Sequence, residues 1–387
     1  MRALLARDFE RFGASGLPAD FADHVRQTYR VDLSARYLGL DLPHPIGKGS
    51  GQLSLNVGQL ERDAAAGLAF VVLKTVIAQD ELGARAMSAW AIPESKMTVE
   101  QRRGWTVTWK GRGWDGSFDD YLALLRAGRD LTRATGMPVV PSVKYHLPRL
   151  GEDFKDAEYR FTTQALARAW GEGPLLLEKD FSPTLAGDAL ADAREQVIRW
   201  VREVPARIRE ALKGVRLAVK LMNARFDDAF QVQMLEAAAQ SGADALVVFN
   251  RLFDAERGVA YGGWDLSDRN LRVLVAPKGL PDGRRRLDGW AARVPMTGTG
   301  NVCSGRMILE YAARGCESVQ VHTSFQLPLD QYPATAGSRT QRALHALVLD
   351  PRDGLVAGLL DAADRGVIVP RGGELHFLDY VGAHRAG

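Results

Sequence analysis

Eight short apolar runs alternate with stretches of helical spacing along most of the chain. The runs are Pro45–Gly49, Ala69–Val76, Val139–Lys144, Leu175–Lys179, Arg216–Leu221, Ala245–Asn250, Val294–Gly298 and Ser318–Val321. They are nearly continuous in hydrophobicity, as expected for strands buried on both faces of a helix-covered parallel sheet. Between them, Leu53–Ala66, Phe118–Thr135, Tyr159–Glu172, Asp192–Leu212, Phe230–Ser241 and Gly305–Arg314 place apolar residues at helical intervals. Eight short apolar strands alternating with helices predict an α/β fold, a (β/α)8 TIM barrel, across about 300 residues from Val31 to Asp330. A doubly wound sheet is the competing architecture, but its phosphate loop normally follows the first strand. Here glycine turns follow strand one (Gly49-Ser50-Gly51) and strand seven (Gly298-Thr299-Gly300-Asn301).

The flanks and insertions set the expected organisation: an N-terminal arm over 1–30, the barrel over 31–330, and a C-terminal helix and tail over 331–387. In the arm, Leu4, Leu5, Phe9 and Phe12 share one face, with Arg2, Arg7, Glu10 and Arg11 opposite. Packing against the barrel or a partner is expected in preference to membrane contact. Val31–Leu40 is expected to be a strand covering the barrel floor, and Ala343–Asp364 a single terminal helix. Between strands two and three, 77–117 is too long for a simple connection and holds Trp90, Trp105, Trp109 and Trp114. Such a segment can be a satellite core, a lid over a flat ligand, or both. The stretch through Gly258, Tyr261, Gly262, Gly263 and Trp264 is expected to be a loop leading into a helical piece, followed by an Arg-rich hairpin near Arg284–Arg286.

Composition adds little until charge is resolved by residue type. The 387 residues are 46% apolar and 25% charged, with a net charge of +3, which fits a soluble globular protein and gives no basis for nucleic-acid binding. Two cysteines, Cys303 and Cys316, exclude a cysteine-built iron–sulfur or zinc site within the chain and suggest a reducing, cytoplasmic setting. No apolar run approaches the length of a membrane span. More telling, the chain has 40 Arg but ten Lys, and Lys48, Lys74, Lys144, Lys179 and Lys220 all fall at or near predicted strand ends. Buried ammonium groups require compensation. Each can pair with a neighbouring carboxylate such as Glu178 or Asp180, but five on one rim favour an anionic cofactor or substrate.

Glycines at the end of strand seven let backbone N–H groups approach an anion, and the following helix adds its dipole. Phosphate after strands seven and eight is common in barrels, although a bare Gly-x-Gly equally fits an ordinary tight turn. Ser182 follows strand four at the expected mouth. As a proton acceptor a serine needs a base or water relay, which His146 could supply if near in space. Asn250, closing strand six, can both donate and accept hydrogen bonds to an amide or ring carbonyl. Cys303, beside the strand-seven turn, is expected to pack rather than to react.

Together these pieces resemble the dihydroorotate dehydrogenase family of FMN-dependent barrels, from about Asp32 to Phe325. The matching segments are Asp32-Leu33-Ser34, Leu38-Gly39-Leu40, Gly49-Ser50-Gly51, Val72-Leu73-Lys74-Thr75-Val76 and Val219-Lys220-Leu221. Ser241-Gly242-Ala243-Asp244-Ala245 running to Asn250, Gly298-Thr299-Gly300-Asn301 and Val319-Gln320-Val321-His322-Thr323 complete them. The resemblance implies bound FMN, with Gly49, Ser50 and Lys74 beside the isoalloxazine and Lys220 near its N1 side. Asn250 and Gly298 join the cofactor set, and Gly300, Asn301, His322 and Thr323 surround the phosphate. It also implies hydride transfer between flavin N5 and a CH–CH bond, with Ser182 as general base and Lys179 beside it.

The family's Asn-x-Ser-(Cys/Ser)-Pro-Asn motif stands here as Lys179-Asp180-Phe181-Ser182-Pro183-Thr184, and its Asn-Ser-x-Gly has no counterpart near Trp109-Lys110-Gly111. Loss of donors and acceptors for a planar amide changes specificity by orders of magnitude. The expected substrate is therefore a small carbonyl-rich or anionic molecule other than dihydroorotate, held by Lys110, Lys144, Thr184 and Asn250, with an electron acceptor of unknown identity. A homodimer is allowed. The alternatives are a genuine dihydroorotate dehydrogenase, a non-catalytic flavin binder, or a phosphosugar lyase or synthase forming a Schiff base on a strand-end lysine.

Overall fold

The computed structural model describes residues 1–18, 20–85, 97–102, 104–109, 113–149, 151–181, 194–223, 226–254, 259–274 and 294–382, with backbone alone for 97–102, 104–109, 252–254 and 259–267. Its centre is a parallel, TIM-barrel-like sheet. In chain order the barrel strands are Ile46–Lys48, Val71–Ile77 in two pieces, Val139–Lys144 in two pieces, Leu176–Asp180, Arg216–Lys220, Ala245–Val248, Met296–Thr299 and Cys316–Val321. Each pairs with the next, and strand eight returns to strand one through Val319↔Ile46 and Val321↔Lys48. Lys48↔Val71 then links strand one to strand two.

Two strands are interrupted for local reasons. Strand three breaks at Pro141, which has no N–H to give the ladder. Strand two breaks over Leu73–Thr75, between Val71–Val72 and Val76–Ile77. The register resumes on both sides, with Val72↔Val140 before the breaks and Val76↔Val143 after them. Lys74 thus leaves a regular ladder and is placed at the barrel mouth.

Helices form the outer layer. The helix Phe118–Thr135 starts in a capping box between Ser117 and Asp120 and ends at Gly136 with φ 78. Gly128 brings this helix onto the sheet, since a Cβ there would lie 2.7 Å from Val139 Cγ1. The expected 31–40 cover strand is instead Val31–Asp32, paired with Leu375–His376, followed by a hairpin of Ala35–Tyr37 with Leu40–Leu42. Leu38 and Gly39 at its turn have φ 50 and 72, conformations a continuous strand cannot contain. The hairpin still seals the floor: Tyr37 stacks on Phe70 with centroids 4.2 Å apart and reaches Glu178 in the barrel interior.

The expected single helix Ala343–Asp364 is two helices, Arg339–Leu349 and Leu355–Asp364, because Pro351 cannot continue the ladder and pushes Asp350 to an extended ψ of 124. Helix Arg2–Ser15 lies against this pair. Phe9 stacks on His345 at 4.3 Å, His345 Nε2 donates to the Phe9 carbonyl, and Arg2 pairs with Asp361 at 2.6 Å. The apolar face of the arm is therefore covered by the chain's own C-terminal helices. Among the described residues no helix is long and apolar enough to cross a membrane.

A second, antiparallel sheet runs in the order Leu252–Asp254, Val259–Gly263, Gly104–Trp109, Met97–Arg102. It joins the insertion after strand two to the segment after strand six, which the sequence had suggested was a plain loop. Trp114 belongs to a satellite core: it is buried, meets Tyr121 edge-on and donates to the Ser117 carbonyl. Trp90 and the Arg284–Arg286 hairpin lie outside the described residues, and only the backbone is described at Trp105 and Trp109.

Candidate active site

At the C-terminal mouth of the barrel lies a cleft of about 740 Å³, counting solvent at its opening. Residues from strand ends all round the ring line it, including Gly49, Ser50, Lys74, Lys144, Lys220, Asn250, Gly300, Asn301, His322 and Thr323. Thr75, Asp180, Arg251 and Gln320 also line it. Among the described residues four cationic side chains thus share the cleft with one carboxylate, which makes it suited to an anion.

The side-chain alternation of each strand decides which lysines face in. Lys144 shares its face with Ser142, and Lys220 with Ala218; both are buried at the cleft wall. Lys220 Nζ donates to Gln320 Oε1 at 2.9 Å and lies 3.4 Å from Glu178 Oε1. Gln320 and Tyr37 in turn donate to Glu178 Oε2 at 2.5 and 3.3 Å. This network sits just below the cleft and ties its floor to the cover hairpin.

Lys74 is 5% exposed, and among the described residues its Nζ has no hydrogen-bond acceptor and no ion-pair partner. Burial, reinforced by Arg251 and Lys144, brings its pKa down to about 7. Burial likewise holds the His322 imidazole well below its ordinary value, with Lys74 and Arg251 adding to the effect, so the ring is neutral. Burial pushes the Asp180 carboxyl up, but Lys144, Lys220, Arg251 and Lys179 outweigh it and hold the group below the usual carboxylate range. Asp180 accepts from Asn250 Nδ2 at 2.8 Å and from Thr75 Oγ1 at 3.3 Å. Thr75 Oγ1 also meets Ser50 and Ser142 hydroxyls at 2.7 and 3.0 Å.

Two lysines of the expected rim are not at the cleft. Lys48 points outward to helix Val57–Ala65, where its Nζ lies 2.5 Å from Asp63 Oδ1. Lys179, assigned to catalysis from sequence, faces away because it alternates with Glu178 and Asp180. It is fully buried, donates to the Asp180 carbonyl at 2.9 Å and sits 4.2 Å over the Phe181 ring. Asp180 occupies the inward position instead. A strict period-two count back from the end of strand four would have found it.

Gly298 is not a wall of the cleft either. A Cβ there would lie 2.5 Å from Tyr311 Cδ1, so its bareness seats the Tyr311 ring behind the turn. His146 Nε2 lies 3.3 Å from Glu152 Oε1, and Cys303 is exposed rather than packed. Ser182, Thr184 and Lys110 lie outside the described residues. Arg251, Thr75 and Gln320 were not singled out in the sequence. Thr75 within the Val72–Val76 segment and Gln320 within the Val319–Thr323 segment could have been suggested by their placement, whereas Arg251 carried no such signal.

The chemistry of the cleft lining is of the kind that the group implied by the sequence resemblance needs. The buried Lys74 ammonium, which has no hydrogen-bond acceptor among the described residues, calls for a negative or electron-rich partner. The bare Cα of Gly51 lets the His322 ring pack directly against the backbone, since a Cβ there would lie 1.8 Å from His322 Nε2. Backbone at Gly49, Gly300 and Asn301 is open to the cleft. Ammonium groups and glycine backbone lining one cleft suit an anionic nucleotide such as FMN.

Comparison with known proteins agrees in kind. The chain is 24% identical over 315 residues to a dihydroorotate dehydrogenase (quinone) of Azotobacter vinelandii (strain DJ / ATCC BAA-1303), covering 76% of this chain and 80% of that protein. No protein-family model matches the chain. The similarity supports a dihydroorotate dehydrogenase-like family, and the divergence of this chain's motifs is in keeping with the low identity.

Proposed function

We propose that this dihydroorotate dehydrogenase-like chain is an FMN-dependent oxidoreductase acting on a CH–CH bond of a small carbonyl-rich or anionic substrate other than dihydroorotate. The observation that carries the proposal is the buried Lys74 ammonium, without a hydrogen-bond acceptor among the described residues, in a cleft that Gly49 and Gly300 also line. FMN, when bound, supplies reversible two-electron acceptance at its ring.

The chain's own residues divide the remaining work. The N–H groups of Gly300 and Asn301, with Thr323 and the neutral His322, hold the phosphate. Gly49, Ser50, Lys74 and Lys220 hold the ring, and Lys220 stays fixed through Gln320 and Glu178. Lys144 and Arg251 attract the substrate's negative or carbonyl oxygens. Asn250, anchored to Asp180, turns its amide toward the same space. Ser182, two residues beyond Asp180, moves the paired proton at its Oγ, and Lys110 and Thr184 complete the substrate contacts. The antiparallel strands Met97–Arg102 and Gly104–Trp109 belong to a lid within 77–117, paired with Val259–Gly263. Residues 1–30 and 331–387 form the arm and the C-terminal extension around a barrel of 31–330. The name of the relative favours a quinone-like electron acceptor, and the protein works in the cytoplasm.

The absorption spectrum of the purified protein tests the proposal: bound-flavin bands are expected, directly or after FMN is added. A colourless protein that binds no FMN overturns it. A second reading, genuine dihydroorotate dehydrogenase, is favoured by the relative's name. Dye reduction by the FMN-loaded protein on adding dihydroorotate establishes that reading, and no turnover removes it.

A further inference from the structure

Behind the strand-seven turn is a hydrogen-bonded chain of side chains that none of the proposed contacts uses. Tyr311, fully buried on helix Gly305–Ala313, places its hydroxyl 3.0 Å from the Thr299 carbonyl and 2.7 Å from the Gly300 carbonyl. Asn270, fully buried on helix Trp264–Leu274, donates from Nδ2 to the same Thr299 carbonyl at 2.8 Å and to the Tyr311 hydroxyl at 3.1 Å. Asn223 donates to Asn270 Oδ1 at 3.2 Å and to the Asn250 carbonyl at 2.7 Å. The run therefore spans from the end of strand six to the end of strand seven.

We infer that Tyr311 and Asn270 are positioning residues that aim the Gly300 and Asn301 N–H groups at the phosphate of a bound nucleotide. In a trans peptide the C=O and the following N–H point in opposite directions. Holding the Thr299 carbonyl back turns the Gly300 N–H forward, and holding the Gly300 carbonyl back does the same for Asn301. Forward is the cleft, which both residues line. The turn has the backbone that such a concavity needs, with φ 109 at Gly300 and φ 50 at Asn301. Ser304 then caps the following helix through its Oγ, 3.2 Å from Met307 N.

Gly298 takes its meaning from the same device. Its missing side chain leaves room for the Tyr311 ring, so the first glycine of the turn seats the clamp and the second presents the amide. Rotating either carbonyl toward the cleft would replace a donor with an oxygen that repels phosphate. The clamp therefore acts on the phosphate end of the ligand alone.

This inference rests on the flavin reading, and comparing two flavins separates their failures. Full-length protein freed of flavin is titrated with FMN and with riboflavin, which lacks the phosphate, following flavin fluorescence. Wild type is expected to prefer FMN. Tyr311→Phe keeps the ring and removes the hydroxyl, so FMN affinity is expected to fall about five- to tenfold, with riboflavin affinity unchanged within about twofold. Asn270→Ala is expected to act the same way, and Tyr311→Phe alone decides if that variant does not fold. Equal loss for both flavins, or an unchanged preference, overturns the clamp while the flavin reading stands. If wild type binds both flavins equally, flavin binding stands but phosphate is not held at this turn. If it binds neither, both readings fall.

Discussion

Asn250 Nδ2 donates to Asp180 Oδ1 at 2.8 Å, joining the ends of strands six and four across strand five. The bond fixes the one carboxylate that lines the cleft among the described residues, beside Lys74, Lys144, Lys220 and Arg251. Asp180→Asn keeps the size of the side chain and removes its charge, leaving the cations to repel one another in a buried site. It is expected to lower stability by about 3–5 kcal/mol. Sulfate should then raise the melting temperature of the variant more than that of wild type, because an added anion replaces the lost one. Equal sulfate responses in the two proteins would show that Asp180 does not balance these charges.

Lys48 is the contrasting case. Its ammonium is spent on Asp63, whose Oδ1 also accepts from Thr340 Oγ1 at 2.8 Å. Lys48→Met strands a buried carboxylate and is expected to cost about 3–5 kcal/mol in urea unfolding, and Lys48→Met with Asp63→Leu should recover much of that loss. FMN affinity should stay within about twofold of wild type, because Lys48 is not at the cleft. A selective loss of FMN binding in a stably folded Lys48→Met protein would put this lysine back in the site.

How far the sequence revealed the site follows from what alternation can and cannot show. Continuous apolar runs marked all eight barrel strands, since burial on both faces leaves no other composition. Lys74, Lys144 and Lys220 stood out because few lysines occur in the chain and these end strands. The same rarity misassigned Lys48 and Lys179, since only in-or-out phase separates them from their neighbours, and phase depends on the true end of each strand. Strand four ends at Asp180, one residue beyond expectation, which exchanges the inward roles of Lys179 and Asp180. Tyr311 and Asn270 carry no local signal at all. Their function arises from carbonyls that they meet at separations of 11 to 29 residues.

Gly51 tests the seat of His322 in the cleft. An added methyl would lie 1.8 Å from His322 Nε2, so the imidazole, which is also held by Gln326, must move. Gly51→Ala is expected to cost about 1–3 kcal/mol of stability through overpacking and to weaken FMN binding about tenfold. Gly51→Ala with His322→Ala removes the clash and should regain stability without regaining affinity. If Gly51→Ala binds FMN as wild type does, His322 does not border the nucleotide.

Lys74 gives the cleft a pH dependence of definite sign. Its folded pKa is about 7, because burial and then Arg251 and Lys144 disfavour the charge, whereas in the unfolded chain a lysine titrates near 10.4. Between those values the unfolded chain holds a proton that the folded chain has released, so stability increases with pH across this window. Lys179, brought to about 7 mainly by burial, acts in the same direction. The ligand-free protein should therefore melt at a higher temperature at about pH 8.5 than at about pH 6.5, with Lys74→Met reducing that difference and Lys179 supplying what remains. Anion binding runs the opposite way. Sulfate keeps its charge throughout and binds best to protonated Lys74, so the melting shift it produces should shrink as pH rises through about 7. A sulfate shift that is the same on both sides of neutrality, or that Lys74→Met leaves intact, would mean that the Lys74 ammonium does not face the bound anion.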